Sequence, residues 1–137
     1  MNPKLLPASF VRLISQADRA RLGIKTQEEA IAAAEVKSER QLQSQIANLL
    51  SLRDIIYCWH RTDRKSHATV GWPDFSFAVR TGGAPIAFAW ECKLPGRSLD
   101  PEQEKMKGHM TSGVNGWTYC VIHSVDEALM ELRRLGL

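Results

Sequence analysis

Two carboxylates and an ammonium stand at the outer ends of two apolar runs. Asp74 opens PDFSFAV, Glu91 and Lys93 close IAFAWECK, and TGGAP lies between the runs. Both runs read as strands, and the short Gly-rich turn folds them into a hairpin. In a hairpin the start of one strand lies opposite the end of its partner, so Asp74, Glu91 and Lys93 converge at the open end. Alternation puts Ala89, Glu91 and Lys93 on one face of the second strand and Phe88, Trp90 and Cys92 on the other. Carboxylate oxygens are hard ligands that suit Mg²⁺ or Mn²⁺, ions that keep several of their waters. Such an ion orients an attacking water and stabilises charge building on a phosphoryl oxygen and leaving group. Lys93 is placed to hydrogen-bond or help deprotonate that water and to offset transition-state charge. Without a cation the two acids repel, which favours a bound metal. Singly, a Glu or Lys at a strand end is ordinary surface and Pro-Asp is a common turn dipeptide. The joint placement carries the chemistry.

The residues leading into Asp74 suit a polyanion. HRTDRK, residues 60–65, is the densest basic patch, and Arg61, Arg64, Lys65 and His67 are candidates for phosphate contacts. Residues 1–65 hold 11 Lys/Arg against 7 Asp/Glu, a balance of +4, while residues 66–137 hold 7 against 8, a balance of −1. A basic rim beside an acidic centre lets a phosphate backbone approach metal-binding carboxylates, although an ordinary solvated surface gives a similar split. Gly71 either lets the chain approach DNA closely or permits a turn. Trp72, beside the acid, is a candidate for stacking on an unpaired base, whereas Trp90 and Trp117 read as core. Cys58, Cys92 and Cys120 sit in apolar runs and read as reduced, buried thiols. No CxxC or HxxxH spacing points to zinc. No run approaches the roughly 20 apolar residues of a membrane span, and no secretory signal is seen, so the expectation is a cytoplasmic protein.

Helix starts and stops place the elements around this hairpin. Ser9 precedes FVRLISQADRARL, which Gly23 stops; Thr26-x-x-Glu29 opens an alanine-rich helix to about Lys37. Ser38-x-x-Gln41 reads as another capping box, opening a helix in which Leu42, Ile46, Leu49 and Leu50 keep helical spacing. DIIYCWHR reads as a strand before the hairpin. Asp100 with Pro101 starts a helix, WTYCVIH is a fourth strand, and Ser124-x-x-Glu127 opens the last helix. A strand that follows its neighbour through a helix pairs parallel with it. The expected fold is α/β, a mixed sheet flanked by helices in the order β-β-β-α-β-α, with extra N-terminal helices over residues 1–37. That extension is open to sheet-edge cover, dimerisation or DNA contact, and residues 38–137 form the main domain.

GWPD at 71–74, ECK at 91–93 and SLDPEQ at 98–103 resemble the VRR-NUC branch of the PD-(D/E)xK nuclease superfamily, from about Ser38 to the C-terminus. The resemblance implies a restriction-endonuclease-like core and metal-dependent phosphodiester hydrolysis, as in small stand-alone members often found in phages; the compartment would be phage or bacterial intracellular. It implies Asp74 and Glu91 as metal ligands, the backbone carbonyl of Cys92 as a further ligand, and Lys93 as the water-activating lysine. It matches Gln103 to a glutamine that positions the nucleophile or scissile phosphate, although Asp100-x-x-Gln103 is equally a capping box. It matches Glu39 to an N-terminal acid that adds a metal ligand, although the helix dipole alone favours an acid there. By analogy the substrate is DNA, including branched DNA cut by a homodimer. The alternative is a non-catalytic nucleic-acid-binding protein that keeps the nuclease fold; RNA is a lesser alternative substrate.

Overall fold

Side-chain oxygens of Ser, Thr and Asp set where the described helices begin. The computed structural model describes residues 4–5, 13–60 and 70–137, and the chain divides into two units, Met1–Glu35 and Val36–Leu137. In the smaller unit a two-residue strand, β1 (Lys4–Leu5), pairs parallel with β2 (Ile24–Lys25). Helix α1 spans Gln16–Leu22 and α2 spans Gln27–Ala33. Of the helix expected from Phe10 onward, the first residues lie outside the described ones; among the described residues the helix runs from Gln16, where the Ser15 hydroxyl takes the free Asp18 amide as its N-cap. Gly23 ends it in the left-handed region, φ 63°. The Thr26–Glu29 capping box forms with both of its bonds, at 3.0 and 2.9 Å. This second helix stops at Ala33, short of Lys37, because the chain must extend again to enter the next cap at Ser38.

The larger unit opens with α3 (Glu39–Leu52), whose Leu42, Ile46, Leu49 and Leu50 are wholly buried. Its cap is half of the expected box. Ser38 accepts from the Gln41 amide, but the Gln41 side chain reaches one residue further back, to the Lys37 N–H at 2.7 Å. The helix ends in a Schellman turn, with Ile55 N–H on Leu50 C=O and Asp54 N–H on Ser51 C=O. Asp54 holds the left-handed position at φ 55°. That turn uses up the start of the expected strand, so β3 is only Tyr57–Trp59.

β3, β4 (Phe75–Arg80), β5 (Pro85–Cys92) and β6 (Thr118–Ile122) form one sheet in that order, antiparallel, antiparallel and parallel. Between β5 and β6 runs α4 (Pro101–Thr111), and α5 (Val125–Arg134) follows. The fold is thus mixed α/β, a four-stranded mixed sheet flanked by helices. Cys120 and Tyr119 are neighbours on β6 and point to opposite faces. Glu131 of α5 lies 4.0 Å from Cys120 Sγ, and the Lys107 ammonium of α4 lies 5.9 Å from the centre of the Tyr119 ring. The two helices therefore cover opposite faces. The α5 face is aromatic: Phe75, Phe88 and Trp90 are fully buried there, with Phe77 edge-on to Trp90 at 4.9 Å.

Three core expectations are corrected, Cys120 among them: it is only half-buried on β6. Cys58 is exposed, because alternation on the edge strand turns it away from the side where Tyr57 and Trp59 meet Phe75. Trp117 is only half-buried, since it stands just before β6 and leans edge-on against Trp72 at 5.8 Å. No helix among the described residues is long and apolar enough to cross a membrane.

Candidate functional site

The hairpin register determines what meets at the open end. Phe75 pairs with Trp90, so the next residues outward, Asp74 and Glu91, come opposite one another. They are the two buried charged residues among those described, 5% and 3% exposed. Asp74 is held at both oxygens: Oδ1 accepts from Gln43 Nε2 at 3.0 Å and Oδ2 from the Cys92 N–H at 2.8 Å. The Asp74 carbonyl also accepts from the His60 N–H, at 2.7 Å, which anchors the segment to the end of β3. Glu91 is held at one oxygen only. Its Oε1 accepts from Gln103 Nε2 at 2.6 Å, while Oε2 is buried with no hydrogen-bond partner.

Electrostatics follow from this burial. Loss of water pushes Asp74 from its ordinary 3.8 to about 6, despite the Cys92 amide and the Lys93 charge, which both pull it down. Burial, then the neighbouring Asp74 charge, pushes Glu91 from 4.5 to about 8, with Lys93 opposing. Lys93 is half-buried, two residues beyond Glu91 on the same face. Its backbone is fixed by an N–H to the Ile122 carbonyl and by contact between its own carbonyl and His123 Nδ1, at 3.1 Å. Glu39, half-buried in the first turn of α3, adds negative charge that raises Asp74 further.

Gln103 forms the capping box and also touches the acid pair. Its amide and side-chain oxygen complete the capping box with Asp100, each bond 3.0 Å, and its Nε2 then reaches Glu91. Gly71 explains how α4 comes so near. It holds φ 82°, and a Cβ there would stand 2.5 Å from the Glu102 carbonyl oxygen. The close approach that requires glycine is to this helix start. Trp72 rests against Trp117 rather than standing free. Arg61, Arg64, Lys65 and His67 lie outside the described residues.

Gln43 was missed in the sequence. It bridges the site to the core, donating to Asp74 while accepting from Trp59 Nε1 at 3.1 Å. It lies one helical turn after Glu39, on the same face.

Among the described residues no three His, Cys, Asp or Glu side chains form a group that would hold a metal by themselves. The donors present are two buried carboxylates plus backbone. In a strand, the N–H and C=O of one residue point to the same side, so the Cys92 carbonyl faces the side where its N–H meets Asp74. The unpartnered Glu91 Oε2 and the crowding of two acids fit a hard dication with oxygen ligands and retained waters. Comparison with protein-family models, with curated proteins and with solved structures finds no match.

Proposed function

We propose that this chain is a Mg²⁺- or Mn²⁺-dependent DNA endonuclease with a restriction-endonuclease-like core of the VRR-NUC kind. The observation that carries the reading is the burial of Asp74 beside Glu91 with one carboxylate oxygen left unpartnered. Two acids withdrawn from water in this way destabilise the fold unless a cation offsets them. Asp74, Glu91 and the Cys92 carbonyl would hold the ion, with Glu39 as a further candidate ligand whose charge is felt at Asp74. A bound dication would supply an activated water and charge neutralisation at the scissile phosphate.

The chain's own groups do the rest. Lys93 holds a proton donor beside the carboxylates, able to steady the nucleophile and offset phosphoryl charge. Gln103 fixes the Glu91 rotamer, while Gln43 and the Cys92 amide fix Asp74. A pure binding module gains nothing from buried acids where phosphates must approach.

Plasmid and four-way-junction cleavage, in Mg²⁺ and in EDTA, tests the proposal. Asp74→Asn and Glu91→Gln each lower cleavage by about a thousand-fold. Asparagine is preferable to alanine at 74, because alanine strands the Cys92 and Gln43 donors. Cleavage that survives both EDTA and Asp74→Asn sinks the reading. Metal-independent binding of DNA or RNA without cleavage identifies a binder instead.

A further inference from the structure

Two buried polar atoms near the site lack partners, and their needs are complementary. Glu91 Oε2 is an acceptor without a donor, and the Tyr119 hydroxyl is a donor without an acceptor. Sheet register puts them on one face: Tyr119 pairs with Ala89, and Val121, two residues on, pairs with Glu91. Tyr119 and Glu91 are therefore diagonal neighbours, about 7–8 Å apart at the backbone and within reach of a long aromatic side chain. The helix above them repeats the arrangement. Gln103 sits over Glu91 and Lys107, one turn later, sits over the Tyr119 ring. The acids Glu91 and Asp74 are the charges that most disfavour ionisation of the Tyr119 phenol, after burial itself, which agrees with this closeness.

We propose that the Tyr119 hydroxyl donates to a water that in turn donates to Glu91 Oε2, making Tyr119 a positioning residue for the Glu91 carboxylate. A buried donor and a buried acceptor each destabilise the fold when unpaired, and one shared water relieves both. Carboxylate oxygens carry two lone pairs, so Oε2 keeps one for a metal. Gln103 then holds one oxygen of Glu91 and Tyr119 the other. The water contact stands by itself; its value to catalysis rests on the nuclease reading.

The chain has two tyrosines, so labelling the tyrosine ζ-carbon gives two NMR resonances. Tyr57, whose hydroxyl lies 3.1 Å from Ser51 Oγ, serves as the internal reference. Glu91→Gln shifts the Tyr119 resonance beyond its linewidth and leaves Tyr57 in place; an unmoved Tyr119 overturns the contact. A crystal structure of the unaltered protein decides independently of any variant: the contact stands if one water lies within hydrogen-bonding distance of both atoms and falls if none does. Tyr119→Phe lowers Mg²⁺ affinity in calorimetry, and kcat, by about 10–100-fold with KM for DNA unchanged. Unchanged affinity and kcat overturn the positioning role. A wild type that binds no Mg²⁺ defeats the nuclease reading, while the NMR and crystal results still judge the contact.

Discussion

The β4–β5 hairpin carries charge at both ends and treats the two ends oppositely. At the closed end, Arg80 is exposed and Thr81–Ala84 turn through solvent, with Gly82 at φ 80°. At the open end, Asp74 and Glu91 are almost wholly withdrawn from water. A side chain that could have been solvated and is instead buried beside a like charge marks a place where folding alone is not being optimised. The turn end obeys ordinary surface rules. The open end breaks them, and what it keeps in return is a geometry.

Swapping charges at the two ends gives the largest contrast. Lys93→Met lowers DNA cleavage by about a thousand-fold, whereas Arg80→Ser leaves it within two-fold, measured on one plasmid substrate. Next comes the helix that joins the ends of the site. Gln103→Glu keeps the capping box, since glutamate serves there as well, but replaces the amide that donates to Glu91 with a repelling acid. Cleavage falls by about a hundred-fold while the helical circular dichroism stays unchanged. Gly71→Ala drives a methyl into the Glu102 carbonyl and needs a left-handed alanine, so it costs about 2–3 kcal/mol in urea denaturation.

Proton linkage sharpens the same comparison. Asp74 and Glu91 keep their protons to higher pH folded than unfolded. The native chain therefore holds extra protons above about pH 3.8, and its stability declines until Glu91 ionises at about 8. Glu91→Gln flattens most of that decline and makes the metal-free protein more stable at pH 8, by roughly a few kcal/mol. Denaturation curves at pH 5 and pH 8 measure it. The smallest change lies far from the acids: Asp54→Gly relieves a left-handed aspartate and adds about 0.5–1 kcal/mol.

The open end was legible in the sequence because strand alternation and a short turn are strict rules. Once TGGAP joined the runs, Asp74 and Glu91 had to face each other. Helix starts were legible in part. Thr26 and Asp100 formed full capping boxes, but Gln41 and Glu127 each reached the amide one residue before the cap, at Lys37 and His123. A four-letter pattern cannot distinguish those two reaches, which differ by one rotation of a flexible side chain. Cys58 was misread because an apolar run does not say which strand ends the sheet. Gln43 went unseen because its partners, Asp74 and Trp59, lie 31 and 16 residues away. Only tertiary structure brings them to one helix face.

Gln43 and Gln103 share a property with a further consequence. Each amide is engaged at both of its ends: Gln43 between Trp59 and Asp74, Gln103 between Asp100 and Glu91. Neither can flip without losing two bonds at once, so neither is free to hunt among rotamers. The carboxylates they hold are set before any substrate arrives, and arrival need not order them. In the nuclease proposed above, such a centre has little freedom left to surrender on binding, and equally little room to adapt to a misaligned phosphate.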